Sequence, residues 1–457
     1  MLYVDSASAV QIALCFVEIE VGSSVWGNHR FFSGWKDIRI AKMARPWKEE
    51  KRQIRVVTLN CWGLMYVSSH REKRIGCLGD ELAKGCYDVV TLQEIWMEKD
   101  YKQICDKAKD VLPYHHYFHS GFLGSGMCIL SKWPIVDTLF HGYSLNSYAY
   151  RILEGDWFGG KGVGLCVIQV DDFTVNVYTT HNTAMYAPSN VFSADEHFTH
   201  RLLQGYELSK FVRFTGTNSD LNVVTGDFNT EDNSLGLKVA RVNADLQDAW
   251  LDRPNQCKDE PCCTVEAPDN CYTSTKTRFY PQHPGMRIDY ILYNAKPRSC
   301  CVTCRDCRLT FKKIPGTDIN YSDHDGVEAL FELEKGRDDQ VLEPSDEEGR
   351  LGVLLEMLPY LSDSIQKITR QRFCYLLVSL LFFLLLASLW LSGAFHWQTS
   401  VYARCGALVA LLALVVLGLA ALCIGVSVKT TELNQLIGRK REITLNVRRL
   451  ESQLKNK

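Results

Sequence analysis

The chain has 457 residues, 46% of them hydrophobic and 23% charged, and its formal net charge is -2. That length and apolar content exclude a disordered chain and a small disulfide-stapled module, and leave room for one large domain with accessories. The near-neutral balance argues against a nucleic-acid enzyme, which at this size carries a basic excess.

Residues 1–53 mix aromatic and charged side chains without a period and are read as an N-terminal extension. Their first stretch lacks a basic start and is interrupted by Glu18 and Glu20, so no secretory signal is expected. The 18 cysteines are then expected to be mostly free thiols in a reducing compartment.

Regular alternation begins at position 54. It predicts strands over 54–59, 87–92, 127–130, 163–170, 173–179, 221–225, 288–293 and 327–333, with an Asp171-Asp172 turn making a hairpin of the fourth and fifth. Two segments between them have a helical period. Residues 71–83 place Ile75, Leu78 and Leu82 on one face, and 198–214 do the same with Leu202, Leu203, Tyr206 and Phe211. Many short strands, few helices and no Gly-x-Gly-x-x-Gly turn oppose a doubly wound nucleotide binder. The expected fold is α/β, a two-sheet β-sandwich flanked by helices over 54–334. Near its end Cys300, Cys301, Cys304 and Cys307, with Cys257, Cys262, Cys263 and Cys271 upstream, offer a zinc site; a solvated loop with spare thiols is the alternative.

An acidic linker and a short amphipathic helix over 351–368 are expected within 335–372. Segments 373–395 and 405–428 contain no charged residue, and each approximates the ~20 residues that cross a bilayer core as a helix. Only a short loop separates them, so 373–428 reads as a transmembrane hairpin. Lys367, Arg370 and Arg372 precede it, Lys429, Arg439, Lys440 and Arg441 follow it, and the loop offers only Arg404. The positive-inside bias then puts both ends and the attached domain in the cytosol, on a multi-pass protein of the endoplasmic reticulum, Golgi or plasma membrane. In the tail, 429–457, Leu433, Leu436, Ile443, Val447, Leu450 and Leu454 fall at heptad positions. The stripe could pair two copies through 431–457, lie on headgroups, or belong to a solvated helix.

Polar motifs stand where the strands give out. Glu94 follows one strand and suits a hard cation such as magnesium. Asn60 follows another, with an amide for a phosphoryl oxygen or the water shell of a metal. In Gly226-Asp227-Phe228-Asn229 the period of two directs Asp227 and Asn229 to one side, where they can orient a water and hold an oxyanion. Ser322-Asp323-His324 supplies a carboxylate and an imidazole fit to act as a base, and Asp289, an acid inside an apolar strand, is the candidate that orients it. His181, at another strand end, could protonate a leaving oxygen. Together these residues equip a metal-assisted hydrolysis of a phosphate ester.

With the motifs in this order, 54–334 resembles the endonuclease/exonuclease/phosphatase superfamily. Within it the chain is most similar to the neutral sphingomyelinases of the short form with a C-terminal membrane hairpin. The phrases that carry this are Leu59-Asn60-Cys61-Trp62-Gly63, Ser120-Gly121-Phe122-Leu123-Gly124-Ser125-Gly126, Gly155-Asp156-Trp157-Phe158-Gly159-Gly160-Lys161, Val163-Gly164-Leu165 and Gly285-Met286-Arg287-Ile288-Asp289-Tyr290-Ile291-Leu292-Tyr293. The resemblance implies magnesium, with manganese as a substitute, held by Glu94 with Asn60 beside it and Asp323 nearby. It implies that Asp227 and Asn229 orient phosphate and water, that His324 is the base, and that His181 stabilises the transition state or protonates the ceramide alkoxide. It also implies a switch between inactive and active arrangements at Asp156 and Lys161; the alternative for those two is a surface salt bridge. The family often has a second histidine just after His181, where this chain has Asn182-Thr183-Ala184.

The expected reaction is magnesium-dependent cleavage of sphingomyelin to ceramide and phosphocholine by a membrane-embedded enzyme. Choline lysolipids are the nearest alternative substrate. A phosphoinositide phosphatase would want clustered Lys/Arg around the motifs, a nuclease a basic groove, and neither is visible. A scaffold with a decayed site is opposed by the presence of every acid and imidazole the chemistry needs.

Overall fold

The first alternating segment becomes β1 (Lys51–Asn60), whose Ile54, Val56 and Val57 are fully buried in the computed structural model. The structure describes residues 51–186, 195–254, 262–274, 285–295, 300–335, 346–392 and 400–456, so most of the extension expected over 1–53 lies outside the described residues. Eleven further strands follow: β2 (Val89–Gln93), β3 (Tyr114–Phe118), β4 (Met127–Ser131), β5 (Ile135–Gly142), β6 (Gly162–Val170), β7 (Phe173–His181), β8 (Leu221–Asp227), β9 (Gln247–Asp248), β10 (Asp289–Ala295), β11 (Cys300–Thr310) and β12 (Gly326–Lys335). They form two six-stranded sheets, in the orders β11-β12-β1-β2-β4-β3 and β5-β6-β7-β8-β10-β9.

The sheets face each other across one apolar layer. Ile54, Val56, Val89 and Ile129 of the first meet Ile168, Val175, Val223 and Ile291 of the second. Each such side chain contributes roughly 1.5–3 kcal/mol by leaving water. The outer faces are covered by helices. The first sheet carries α1 (Arg71–Leu82) and α2 (Glu98–Ala108), the second α3 (Phe198–Thr215) and α4 (Leu235–Asn243).

Strand direction brings the polar motifs together. β1 and β2 run parallel with Asn60 beside Gln93, and β7 and β8 run parallel with His181 beside Asp227. β10 runs antiparallel to β8 and begins with Asp289 opposite Asp227. β12 runs antiparallel to β1 and begins just after His324 and Asp325. All of these ends therefore meet at one rim of the sandwich.

The cysteine run is a strand, neither a zinc loop nor a solvated one. Cys300, Cys304 and Cys307 of β11 point into the core, and a bulge between Cys304 and Asp306 lets residues three apart share a face. Burial pushes the Cys300 and Cys304 thiols up to about 12 and about 11, and they pack as protonated side chains in the core. Cys257 lies outside the described residues.

Beyond the sandwich stand α5 (Glu347–Leu391), α6 (Val401–Cys423) and α7 (Lys429–Lys455), with a π-helical turn, Ile424–Val428, before the last. The amphipathic helix expected over 351–368 does not stop; it continues into the first apolar segment as α5, because nothing in Thr369-Arg370-Gln371-Arg372 breaks a helix and Pro359 removes only one backbone bond. Among the described residues two helices are long and apolar enough to cross a membrane, and only 6% and 11% of their most apolar stretches is buried within the chain. The tail stripe is covered by the chain itself. Leu436, Ile443, Val447 and Leu450 pack on Val353, Met357 and Leu361 of α5 and on Leu202 and Tyr206 of α3. Lys440, which interrupts the heptad, donates to the Ser362 hydroxyl at 2.8 Å. Ile443→Asp places an unpaired acid at a fully buried position. It is expected to cost roughly 3 kcal/mol or more and to free the tail to proteolysis, read by thermal melting and limited digestion.

Candidate active site

Each motif reaches the rim by a local device. Glu94 follows β2 in a left-handed conformation (φ 59°), and the chain at Gly63 runs so close that a Cβ there would lie 2.1 Å from the Glu94 carbonyl oxygen. Gly226 has φ 127° beside Thr180, where no side chain fits, and Asn229 is also left-handed at φ 48°. For a non-glycine residue such as Glu94 a left-handed backbone costs of order 1–3 kcal/mol and persists where surrounding structure over-determines it.

The side chains converge. Asn60 donates its amide to Glu94 at 3.2 Å and to Asp227 at 3.0 Å. Asp227 also accepts from the Asn229 amide nitrogen at 3.1 Å. His324 Nδ1 bonds Asp289 Oδ2 at 2.8 Å, which fixes the tautomer and leaves Nε2 for the substrate side. Asp323 accepts from the Ser322 hydroxyl at 3.2 Å. His181 Nε2 lies 3.5 Å from Asp227 and 3.8 Å from Glu94, and Lys161 Nζ lies 2.7 Å from the same nitrogen. Lys161 therefore donates there, and the proton of the neutral His181 ring sits on Nδ1.

Charge decides what the site wants. Burial raises the carboxyl pKa of Glu94 and Asp323, and burial with the neighbouring Asp289 charge raises Asp227 to about 7. Burial works against the His324 imidazolium, but Asp289, by charge and hydrogen bond, together with Asp323 and Asp227 holds its pKa well above the usual histidine range. Burial and the cations Lys161 and His324 hold His181 well below that range. Glu94 Oε2, Asp289 Oδ1 and His181 Nδ1 are buried without protein partners. Buried acids short of positive charge, with an orphaned carboxylate oxygen among them, fit a divalent cation.

All ten residues expected at the site lie at or directly behind this rim. Asp156 and Lys161 do not form a surface salt bridge: the pair is buried, 3.0 Å apart, and stands behind His181, because the loop carrying Asp156 is tied inward by the Ala184 N–H donating to its carboxylate at 2.8 Å. Among the described residues, Asp227, Asp289 and His324 also offer ligand atoms that lie within 4.8 Å of one another, because the β8–β10 register sets the two acids face to face. Asn182, in place of a second histidine, accepts from the Asn229 amide through its carbonyl at 3.0 Å and so holds that residue.

Sequence reading missed three supporting residues. Arg74 donates to the carbonyls of Cys61, Trp62, Ser69 and Tyr321 and stacks 5.0 Å from the Trp62 ring, clamping the Asn60 and Asp323 loops together. Its position beside Ile75 on the buried stripe of α1 was the available signal. Trp96 lies with its ring 6.4 Å from that of His181. The Thr264 hydroxyl accepts from the Ile288 and Asp289 N–H groups at 3.0 and 3.2 Å, and no local pattern marks it.

Residues 57–324 match the model of the Endonuclease/Exonuclease/phosphatase family. A Caenorhabditis elegans protein that bears the provisional name of a neutral sphingomyelinase is 42% identical over 301 residues, covering 62% of this chain and 67% of its own length. The human protein named sphingomyelin phosphodiesterase 2 is 36% identical over 279 residues, covering 61% of this chain and 64% of its own. The chain thus matches about two thirds of the length of these relatives. Among solved structures, sphingomyelinase C of Streptomyces griseocarneus superposes with a TM-score of 0.44 at 20% identity, over 63% of this chain and 100% of that one.

Proposed function

Because the chain belongs to the Endonuclease/Exonuclease/phosphatase family, we propose that it hydrolyses sphingomyelin to ceramide and phosphocholine, with magnesium, from the cytosolic face of a membrane that α5 and α6 span. The observation that carries a phosphodiesterase reading is the buried Asp289–His324 pair at 2.8 Å, set beside Asp227 and Asn229. The names of its relatives supply the substrate.

In this reading His324, in the neutral form that a cation bound beside it would favour by offsetting the surrounding carboxylates, takes a proton at Nε2 from water held by Asp227 and Asn229. The water oxygen forms a bond to phosphorus, and the phosphorus–oxygen bond to ceramide breaks on the opposite side. Asp289 stabilises the imidazolium so formed. The leaving alkoxide takes a proton through the His181–Lys161 pair, joined at 2.7 Å, with Lys161 as its source. Glu94, with Asn60 and Asp323, would hold magnesium, whose charge, when bound, offsets that of the phosphoryl oxygens. Asp156 anchors Lys161, and moving that anchor would switch the site. Lys161→Met removes the proton source while keeping the length of the stem. It is expected to lower kcat by roughly 100-fold with KM nearly unchanged.

The test is turnover by the full-length protein in mixed micelles of sphingomyelin, a lysophosphatidylcholine, a phosphoinositide or DNA, with and without magnesium. Magnesium-dependent phosphocholine release from sphingomyelin is expected. Faster release from the lysolipid would move the assignment to a lysophospholipase C, and no release from either choline lipid would sink it.

A further inference from the structure

Helix α3 carries a buried polar stripe beside its apolar one. Arg201, Gln204 and Glu207 stand three residues apart and are almost fully excluded from water, as are Leu202, Leu203 and Tyr206 between them. A polar group in such a place is costly unless its hydrogen bonds are made. These side chains make theirs largely with two segments that lie outside helices and strands, 143–147 and 182–184.

Beyond His181 the chain leaves the sheet, and residues 182–184 form a strap between the site and α3. On the site side, the Asn182 N–H donates to the Asp227 carbonyl at 3.0 Å, and the Asn182 carbonyl accepts from the Asn229 amide at 3.0 Å. The Ala184 N–H donates to Asp156, the anchor of Lys161, at 2.8 Å. On the helix side, Gln204 Oε1 accepts from the Thr183 N–H at 3.0 Å. Gln204 Nε2 donates to the Thr183 hydroxyl and to the Leu145 carbonyl, both at 2.8 Å. Arg201 donates to the Ala184 carbonyl at 3.0 Å and pairs with Asp195. Glu207 accepts from the Ser144 N–H at 3.1 Å, which holds the segment that Gln204 also grips. Both amide donors of Gln204 are thus used, and the strap is held from two faces.

We propose that Gln204, with Arg201 beside it, is a positioning residue for catalysis. By fixing 182–184 it sets Asn229 on the water side of the phosphorus, and Asp156, hence Lys161 and His181, on the leaving-group side. It acts only through the strap. This inference rests on the reading of the rim as the site of phosphocholine release, and it assigns to α3 a part in both halves of that reaction.

The test uses the full-length protein with magnesium and two substrates, sphingomyelin in mixed micelles and p-nitrophenyl phosphocholine. Nitrophenolate leaves without a proton, so the second substrate reports the water side alone. Gln204→Met keeps the length of the side chain and removes its bonds. It is expected to lower kcat about 30-fold on sphingomyelin and about fivefold on the nitrophenyl ester, with KM little changed. In a Lys161→Met background its further loss on sphingomyelin should shrink to about fivefold, because the leaving-group side is already lost. Arg201→Lys keeps a cation for Asp195 but not the fork that also reaches Ala184. It is expected to cost about fivefold on sphingomyelin and nothing on the nitrophenyl ester, and it decides the matter if Gln204→Met fails to fold. Leu203→Ala weakens the same helix without touching the strap, and should lower the melting temperature while leaving kcat unchanged below it. Equal losses on both substrates in either strap variant, no loss in either, the full 30-fold loss in the Lys161→Met background, or a matching loss of kcat in Leu203→Ala overturns the proposal. Failure of the unmodified protein to release phosphocholine from either substrate overturns the underlying reading and this inference with it, whereas turnover indifferent to Gln204 overturns the positioning role alone.

Discussion

His324→Ala is expected to lower kcat for phosphocholine release by roughly 100-fold to 10,000-fold while the protein still folds. The His324 imidazole is oriented on one nitrogen by Asp289 at 2.8 Å, and among the described residues the other nitrogen has no protein partner. Alanine leaves the Asp289 carboxylate buried without its partner, which costs stability. His324→Gln keeps an amide donor there, so it is the control that separates lost chemistry from lost fold. Asp289→Asn should cost nearly as much as His324→Ala, and the double variant little more, since the two act as a unit. The residual activity of Asp289→Asn carries a further signature. Asp289 is the main group raising the His324 pKa, so its neutralisation lowers that pKa. The base form then survives to lower pH, and the acid limb of the kcat profile moves down. An acid limb that stays in place would remove His324 from the role of base.

The second large effect concerns the cation. Chelation is expected to abolish turnover and added magnesium to restore it, whereas Glu94→Gln should be inactive with or without the metal. Stability supplies an independent readout. Burial raises the Glu94 pKa, so its ionisation destabilises the metal-free fold. That penalty is absent at low pH and grows as pH rises from the ordinary carboxylate range through the folded value. At neutral pH, Glu94→Gln should therefore raise the melting temperature of the metal-free protein. Magnesium at 100 times its dissociation constant should stabilise the unmodified protein by about 2.7 kcal/mol and the variant far less. Equal stabilisation of both would place the cation elsewhere, and Asp227, Asp289 and His324 form the next group to test.

Legibility in the sequence followed burial. The strands with a clear period, among them β1, β2, β7 and β8, are central and buried. The four that periodicity does not predict, β3, β5, β9 and β11, are the four sheet edges. An edge strand has one partner and part of its surface in water, so its side chains carry less of the alternation that burial imposes; in β5 the pattern is mixed throughout. β11 was hidden further by its bulge, which gives core cysteines the spacing of a metal motif.

By itself the sequence determined the two-sheet sandwich, the set of rim residues and the two membrane-length helices. These depend on local period, on strand ends and on segment length, all of which are properties of contiguous residues. Only the tertiary structure decided that Asp156 and Lys161 are buried behind His181, that Asp227 faces Asp289 across a strand pair, and that the tail stripe is covered by α5 and α3. Each of those rests on which distant surfaces exclude water from one another. That is set by register and packing between segments up to hundreds of positions apart, and no local pattern encodes it.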